Sequence, residues 1–268
     1  MEIRGRINQH KTVFGGIWLV VSVRNIAKML VKRPLNALGL DIVRISVNST
    51  DTKQFEPSEA NKFIWLSRLN INTIIDIGAH EGEFAMMVHQ ILPKATITSF
   101  EPLEEAFRQL NFNMRTVPNF KAFNCALGDR NSTMEIHRNE FTASSSLLKM
   151  VDLHREAFPF TMNETIETVE VKRLDDVLRG SYLEDYILIK MDVQGYEDRV
   201  ILGGENVISR AKLLVVETSF QTLYERQPLF DEIYSMLRQR GFAYIGNWDQ
   251  LLSPADGSVL QADAMFVR

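Results

Sequence analysis

Ile74-Ile75-Asp76-Ile77-Gly78-Ala79-His80-Glu81-Gly82 is the stretch whose reading decides the fold. An apolar, β-branched run breaks into a glycine loop and then into the helix-period segment Phe84 to Leu92, which Pro93 stops. Strand Thr73 to Ile77, loop and helix therefore form one unit of an α/β fold. Before it, Ser58 to Leu69 has the broad apolar face of a helix, and the polar stretch Asn48 to Phe55 reads as a linker. After it, strand Ala95 to Phe100 ends at Glu101-Pro102, a helix runs from Leu103 to about Arg115, and Phe120 to Leu127 reads as a third strand closed by Gly128-Asp129. The strongest buried-strand signal is Tyr186 to Val193, and Lys212 to Val216 is a further strand ending at Glu217. A helix from Phe230 to about Arg240 follows, then Phe242 to Ile245 and Ala264 to Val267, which predict a terminal antiparallel pair. Asn131 to Val171 departs from this alternation. It holds the short strands Thr133 to His137 and Glu167 to Val171 around a long polar connection, and is taken as a substrate-side insertion.

A chain of 268 residues with an ordinary apolar fraction buries one substantial core. The division expected is an N-terminal, partly helical extension over 1–57 and a catalytic domain over 58–268. A net charge of −4 offers no basic face, so no nucleic acid partner is expected. The single cysteine, Cys125, excludes a disulfide framework and a cysteine-rich metal site and fits a cytoplasmic setting. Val13 to Val23 is apolar behind Arg4, Arg6 and Lys11, but Arg24, Lys28, Lys32 and Arg33 interrupt the run before the roughly 20 apolar residues of a spanning helix. It is expected to pack on the catalytic domain or a subunit, with peripheral lipid contact through residues 1–33 as the alternative.

The loop suits a ligand with an amino-acid end, as S-adenosylmethionine has, better than a pyrophosphate. Gly78 opens backbone dihedrals closed to other residues, while Ala79 and Gly82 let main chain approach a ligand closely. The helix N-terminus offers N–H groups to a carboxylate, and Asp76 can receive an ammonium. A dinucleotide site would want Gly-x-Gly-x-x-Gly, which is absent here. Glu101, ending the next strand, can accept both hydroxyls of a ribose. Cys125-Ala126-Leu127, ending the third, puts a small residue and free backbone where an adenine could lie.

These residues form an ordered series: Ile-Asp-Ile-Gly-Ala-His-Glu-Gly at 75–82, Phe-Glu-Pro at 100–102, Asn-Cys-Ala-Leu-Gly-Asp at 124–129 and Ile-Lys-Met-Asp-Val-Gln-Gly-Tyr-Glu at 189–197. With it the chain resembles the FkbM-like S-adenosylmethionine-dependent methyltransferases over about residues 58–268. The resemblance implies a seven-stranded Rossmann-like class I methyltransferase sheet with helices on both faces and a reversed last strand. It also implies a cofactor site at Asp76, Gly78, Ala79, Gly82, Glu101, Pro102, Cys125, Ala126 and Leu127. Members commonly modify hydroxyl or carboxyl oxygens of sugars and secondary metabolites, so a small-molecule or carbohydrate acceptor is expected. Where many members carry glutamate, this chain has Gln194.

Methyl transfer to a hydroxyl needs the acceptor held close and in line and a base for its proton. Asp192, leaving the central buried strand at the edge where open α/β sheets bind ligands, is the first candidate. His80 and Glu217 share that edge and are the others. Asp192 and Glu217 without a third ligand make a poor metal signature, so no metal is assigned. Lys190 is expected to pair with a carboxylate, and Glu197 to meet the N-terminus of the next helix. Transfer to nitrogen or to a carboxylate, an inactive S-adenosylmethionine-binding module and, more distantly, an NAD-dependent oxidoreductase remain as rival readings.

Overall fold

Parallel pairing of β1 (Thr73–Ile77) with β2 (Thr96–Phe100) on one side and β7 (Ile187–Met191) on the other builds the centre of the sheet. Two further strands extend it: β3 (Phe120–Phe123) beside β2, and β8 (Ala211–Ser219) beside β7. The last strand, β10 (Val259–Val267), inserts antiparallel between β8 and β9 (Ala243–Leu252), giving the order β3-β2-β1-β7-β8-β10-β9. This is the seven-stranded sheet with a reversed last strand that the motif series implies. The computed structural model describes residues 63–139, 145–151 and 164–268. Expectations about residues 1–57, the segments 13–23 and 1–33, and the helix start at Ser58 lie outside them.

The strand period of two sorts the core onto two faces. Ile74, Leu188, Leu213 and Val215 pack with Ala85, Val88 and Ile91 of α1 (Glu83–Ile91) and Leu110 and Met114 of α2 (Glu104–Met114). Ile75, Ile77, Ile189, Met191, Leu214 and Val216 face the other way. They meet Leu174 of α3 (Leu174–Val177), Val200 and Ile201 of α4 (Glu197–Gly203), Ile208 of α5 (Glu205–Ile208) and Ile233 and Leu237 of α6 (Phe230–Gln239). Helices therefore cover both faces. On the first of them, Trp248 of β9 stacks on Phe63 at 3.7 Å between ring centroids and reaches Phe84 of α1.

Several sequence boundaries move. The run expected as one strand over Phe120 to Leu127 breaks at Asn124-Cys125, and β4 (Ala126–Leu127) joins a second sheet with β5 (Ser132–Asn139) and β6 (Glu164–Lys172), in the order β4-β6-β5. The break has a physical cause: the Asn124 side-chain amide donates to the carbonyls of Glu101 and Pro102 at 2.9 and 3.0 Å and turns the chain out of the main sheet. In that second sheet β5 and β6 form a longer antiparallel pair than the short strands expected. Within the expected Ser58 to Leu69 helix, the described portion Ile64–Leu69 is a 3-10 helix. Among the described residues no helix is long and apolar enough to cross a membrane.

Candidate active site

Loop geometry at the end of β1 follows from close backbone packing. The Gly78 and Ala79 N–H groups both donate to the Phe100 carbonyl at 3.0 Å, tying the loop to the end of β2. Gly78 has φ +76°, and a Cβ there would lie 1.8 Å from the Asp192 carbonyl oxygen, so the glycine lets this loop touch the end of β7. Gly82, at φ +94°, precedes α1, and a Cβ there would meet Leu110 of α2 at 2.7 Å. At Gly82, therefore, the missing side chain also makes room for the contact with α2.

Asp76 is fully buried. Its Oδ2 accepts from the Ser99 hydroxyl at 3.4 Å, while Oδ1 is a buried oxygen with no hydrogen-bond partner. Burial pushes its carboxyl up to about 6, with the Lys190 charge opposing and the Asp192 charge reinforcing the rise. An unsatisfied buried acceptor is costly unless a donor arrives, so this atom fits a cationic ligand group. Glu101 is also buried, and it accepts from the His80 N–H at 2.9 Å and the Leu103 N–H at 2.8 Å. Burial outweighs those two bonds and raises its carboxyl to about 7. Each carboxylate oxygen has a second lone-pair direction, so the group retains capacity for ribose hydroxyls.

His80 sits on this side of the site. Its Nδ1 lies 3.5 Å from the Glu83 carboxylate. Burial works against its charge, but the Glu83 bond and the Glu83 and Glu101 charges leave it above its ordinary value. At the end of β3, the Cys125 and Leu127 side chains lie in the core with Phe100, 2% and 1% exposed, and burial pushes the thiol up to about 11. With those two side chains turned into the core, what this strand end offers a ligand is its main chain, as the sequence reading expected for the adenine. Ala126 faces a separate cluster with Leu103 and Ala106, and the Pro102 carbonyl is held by Asn124.

Across the sheet lies a second group of charges. Lys190 and Glu217 share the α1 face with Asp76, and Asp263 pairs across from Glu217 on β10. Lys190 Nζ donates to Asp192 Oδ2 at 2.9 Å, and the Asp192 side chain retains 27% exposure. Burial disfavours the Asp192 charge, but Lys190 and three side-chain hydrogen bonds hold its carboxyl below the usual range. Glu217 moves the other way: burial, then the Asp192, Asp263 and Glu197 charges, raise it well above that range. Burial likewise raises Asp263 to about 7. The structure thus brings Asp192 and Glu217 together and supplies the partner anticipated for Lys190.

Residues to which the sequence reading gave no role complete the site. Gln194 Nε2 donates to Asp192 Oδ1 and to Glu217 Oε2, both at 2.7 Å, and its Oε1 accepts from the Tyr224 hydroxyl at 2.7 Å. Gln261 donates to Glu217 at 3.0 Å. Gln194 lay inside a recognised motif, but Tyr224 and Gln261 carry no local signal. Glu197 Oε1 accepts from the Val193 and Gly195 N–H groups at 3.1 and 3.2 Å, so its role is structural. Among the described residues no three His, Cys, Asp or Glu side chains group as a metal site.

Comparison with known proteins places similarity on the same residues. The stretch 76–244, more than half of the chain, matches the Methyltransferase FkbM domain. The 2-O-methyltransferase NoeI of Sinorhizobium fredii is 33% identical over 161 residues, 58% of this chain and 66% of that protein, just under two thirds. The 31-O-demethyl-FK506 methyltransferase FkbM of Streptomyces tacrolimicus is 27% identical over 206 residues, covering 68% of this chain and 76% of the relative. A solved precorrin-6y C5,15-methyltransferase from Geobacter metallireducens superposes with a TM-score of 0.41 at 11% identity, covering 81% of this chain and 90% of that one. A score that low has no weight of its own.

Proposed function

Since the chain belongs to the FkbM methyltransferase domain family, we propose that it is an S-adenosylmethionine-dependent enzyme that methylates a hydroxyl oxygen of a sugar or other small molecule. One observation carries the reading: Asp76, Glu101 and Asp192 converge at the carboxyl ends of three adjacent parallel strands, β2, β1 and β7, where an open α/β sheet binds its ligand.

Asp76 Oδ1 would accept the cofactor's ammonium, the N-terminus of α1 would face its carboxylate, and Glu101 would accept its ribose hydroxyls. When bound, the cofactor supplies a methyl group on a positively charged sulfur. This chain's own residues then have two tasks. They hold the acceptor oxygen in line, which lowers the entropic part of the barrier, and they take its proton as the new carbon–oxygen bond forms. We assign the proton to Asp192. It is ionised beside Lys190 and exposed enough to meet a substrate. His80 is assigned to the cofactor side, with Glu83 and Glu101.

Incubating the pure protein with isotope-labelled S-adenosylmethionine and a panel of glycans and hydroxylated metabolites, followed by mass spectrometry, tests the proposal. An O-methylated product lost in Asp192→Ala supports it. No calorimetric binding at millimolar cofactor overturns it at the first step, and label on nitrogen or on a carboxylate replaces it with the rival chemistry.

A further inference from the structure

Beyond Asp192 the chain makes a turn in which Gln194, at φ 55°, and Gly195, at φ 96°, both lie in the left-handed region. A non-glycine residue stays there only where its surroundings over-determine it. The N–H side of the turn is held by Glu197, whose Oε1 accepts from Val193 and Gly195. The carbonyl side is held from a distant part of the chain: the Gln194 carbonyl accepts from the Ser146 hydroxyl at 2.6 Å. What the turn presents is the Gln194 side chain. Its Nε2 donates to Asp192 Oδ1 and to Glu217 alike, both at 2.7 Å, and Lys190 donates to the other Asp192 oxygen at 2.9 Å, so the candidate base is held at both oxygens.

Ser146 is itself fixed. It is buried, its main chain exchanges two hydrogen bonds with His137 of β5 at 2.8 and 3.2 Å, and its hydroxyl oxygen accepts from the Leu148 N–H at 3.0 Å, which directs the hydroxyl proton to the Gln194 carbonyl. The residues that follow are tied to the segment beyond β8: the Val151 N–H donates to the Leu223 carbonyl at 3.0 Å, and the Glu225 N–H donates to the Lys149 carbonyl at 2.8 Å. Gly195 lies at this junction, where a Cβ would meet Gln227 at 3.0 Å, Leu148 at 3.3 Å and Tyr224 at 3.4 Å. Tyr224 also donates to Gln194 Oε1 at 2.7 Å. A single residue, Gln194, therefore separates a hydroxyl of the insertion expected to face the substrate from the candidate base.

We propose that Ser146 is a positioning residue for methyl transfer: it holds the turn at Gln194 and Gly195 so that the Gln194 amide keeps Asp192 in place, and it makes that placement depend on the seated insertion. The inference rests on the assignment of Asp192 as base. Ser146 touches neither carboxyl group and takes no proton from the acceptor. It acts through geometry, since a base displaced from its productive position loses rate while its own chemistry is unchanged. The neighbouring Ser145 is the contrast. Its hydroxyl accepts from the Asn139 N–H at 3.2 Å and so ties the insertion to β5 instead of to the turn.

In the full chain labelled with nitrogen-15, the Gln194 side-chain amide signal is assigned by its loss in Gln194→Leu, and the exchange of its protons with solvent reports how firmly it is held. Ser146→Ala should speed that exchange about tenfold, the order expected for one buried hydrogen bond, and Ser146→Cys, closer in size with a weaker donor, should fall between. Ser145→Ala should leave it at the wild-type value. With an acceptor from the labelled-cofactor screen, Ser146→Ala should lower the single-turnover transfer rate about tenfold while the cofactor dissociation constant stays within about twofold. Unchanged exchange in Ser146→Ala overturns the proposal. So does equal acceleration in Ser145→Ala, full recovery in Ser146→Cys, or a transfer rate that falls only in step with cofactor affinity, each of which marks a packing role. Absence of cofactor binding to the wild type by calorimetry would instead remove the methyltransferase reading while leaving the amide measurement as it stands, so the two failures are distinct.

Discussion

At Asp76, a single oxygen atom carries the proposed cofactor contact. Its Oδ1 is buried without a partner, an arrangement that costs about 1–3 kcal/mol while it lasts and that an ammonium donor would relieve. Asp76→Asn should weaken S-adenosylmethionine binding by about 10–100-fold, the worth of one charge-assisted hydrogen bond, with the far-ultraviolet spectrum unchanged. Isothermal calorimetry checks this. The same titration has a pH signature. With its carboxyl raised to about 6, Asp76 protonates as pH falls through that value and can no longer receive a cation, so wild-type affinity should decline below it. Affinity that stays flat from about pH 8 to about pH 5 would remove Asp76 from the site. At this scale the sequence was informative wherever a residue type has a narrow use: Asp76 and Gly78 in the loop, Glu101 at a strand end. It was silent about Tyr224 and Gln261, because a tyrosine and a glutamine acquire meaning only from what they face.

Among elements, the loop between β1 and α1 and the end of β7 behave as one object, since the Gly78 Cα approaches the Asp192 carbonyl. Gly78→Ala has to displace that carbonyl, and with it the candidate base. It is expected to lower stability by about 2 kcal/mol or more and to abolish cofactor binding. Gly180, at φ +75° with nothing within 4 Å, is the control: Gly180→Ala should cost only about 1 kcal/mol and leave binding intact. Denaturant unfolding and calorimetry together separate the two. A second inter-element contact is the stack of Trp248 on Phe63 with Phe84 alongside, which clasps β9 to the 3-10 helix and to α1. Trp248→Ala should cost about 2–4 kcal/mol in thermal unfolding, from lost aromatic burial. Strand and helix periods were readable in the longer elements, whereas ends were not, and the one-turn helices α3 and α5 left no period to read. The run to Leu127 looks continuous in sequence, but Asn124 spends its side chain on the carbonyls of Glu101 and Pro102 and redirects the chain.

At the scale of the molecule, buried acidic side chains among the described residues gather at the carboxyl edge of one sheet, and they shape the pH response of the fold. Burial raises Asp76 to about 6 and Glu101, Glu197 and Asp263 to about 7. A carboxyl with a raised folded-state value binds protons more tightly folded than unfolded, so it favours the folded state at low pH and ceases to do so as pH rises through the folded value. Stability of the ligand-free protein should therefore decrease from about pH 5 to about pH 8, by several degrees of melting temperature at about 2–4 °C per kcal/mol. Asp263→Asn should flatten that slope, and differential scanning calorimetry decides; a stability that rises over this interval would contradict the burial account. The amino-acid sequence alone determined the alternation of elements, the reversed terminal pair and the loop at 74–82, because periodicity and glycine chemistry are local properties of the chain. Only the tertiary structure decided which acids share a space, which of them is left ionised beside Lys190, and that a glutamine stands between Asp192 and Glu217. Burial and cross-strand contact depend on residues far apart in sequence, and those two quantities, more than residue type, fix the charge of a carboxyl group.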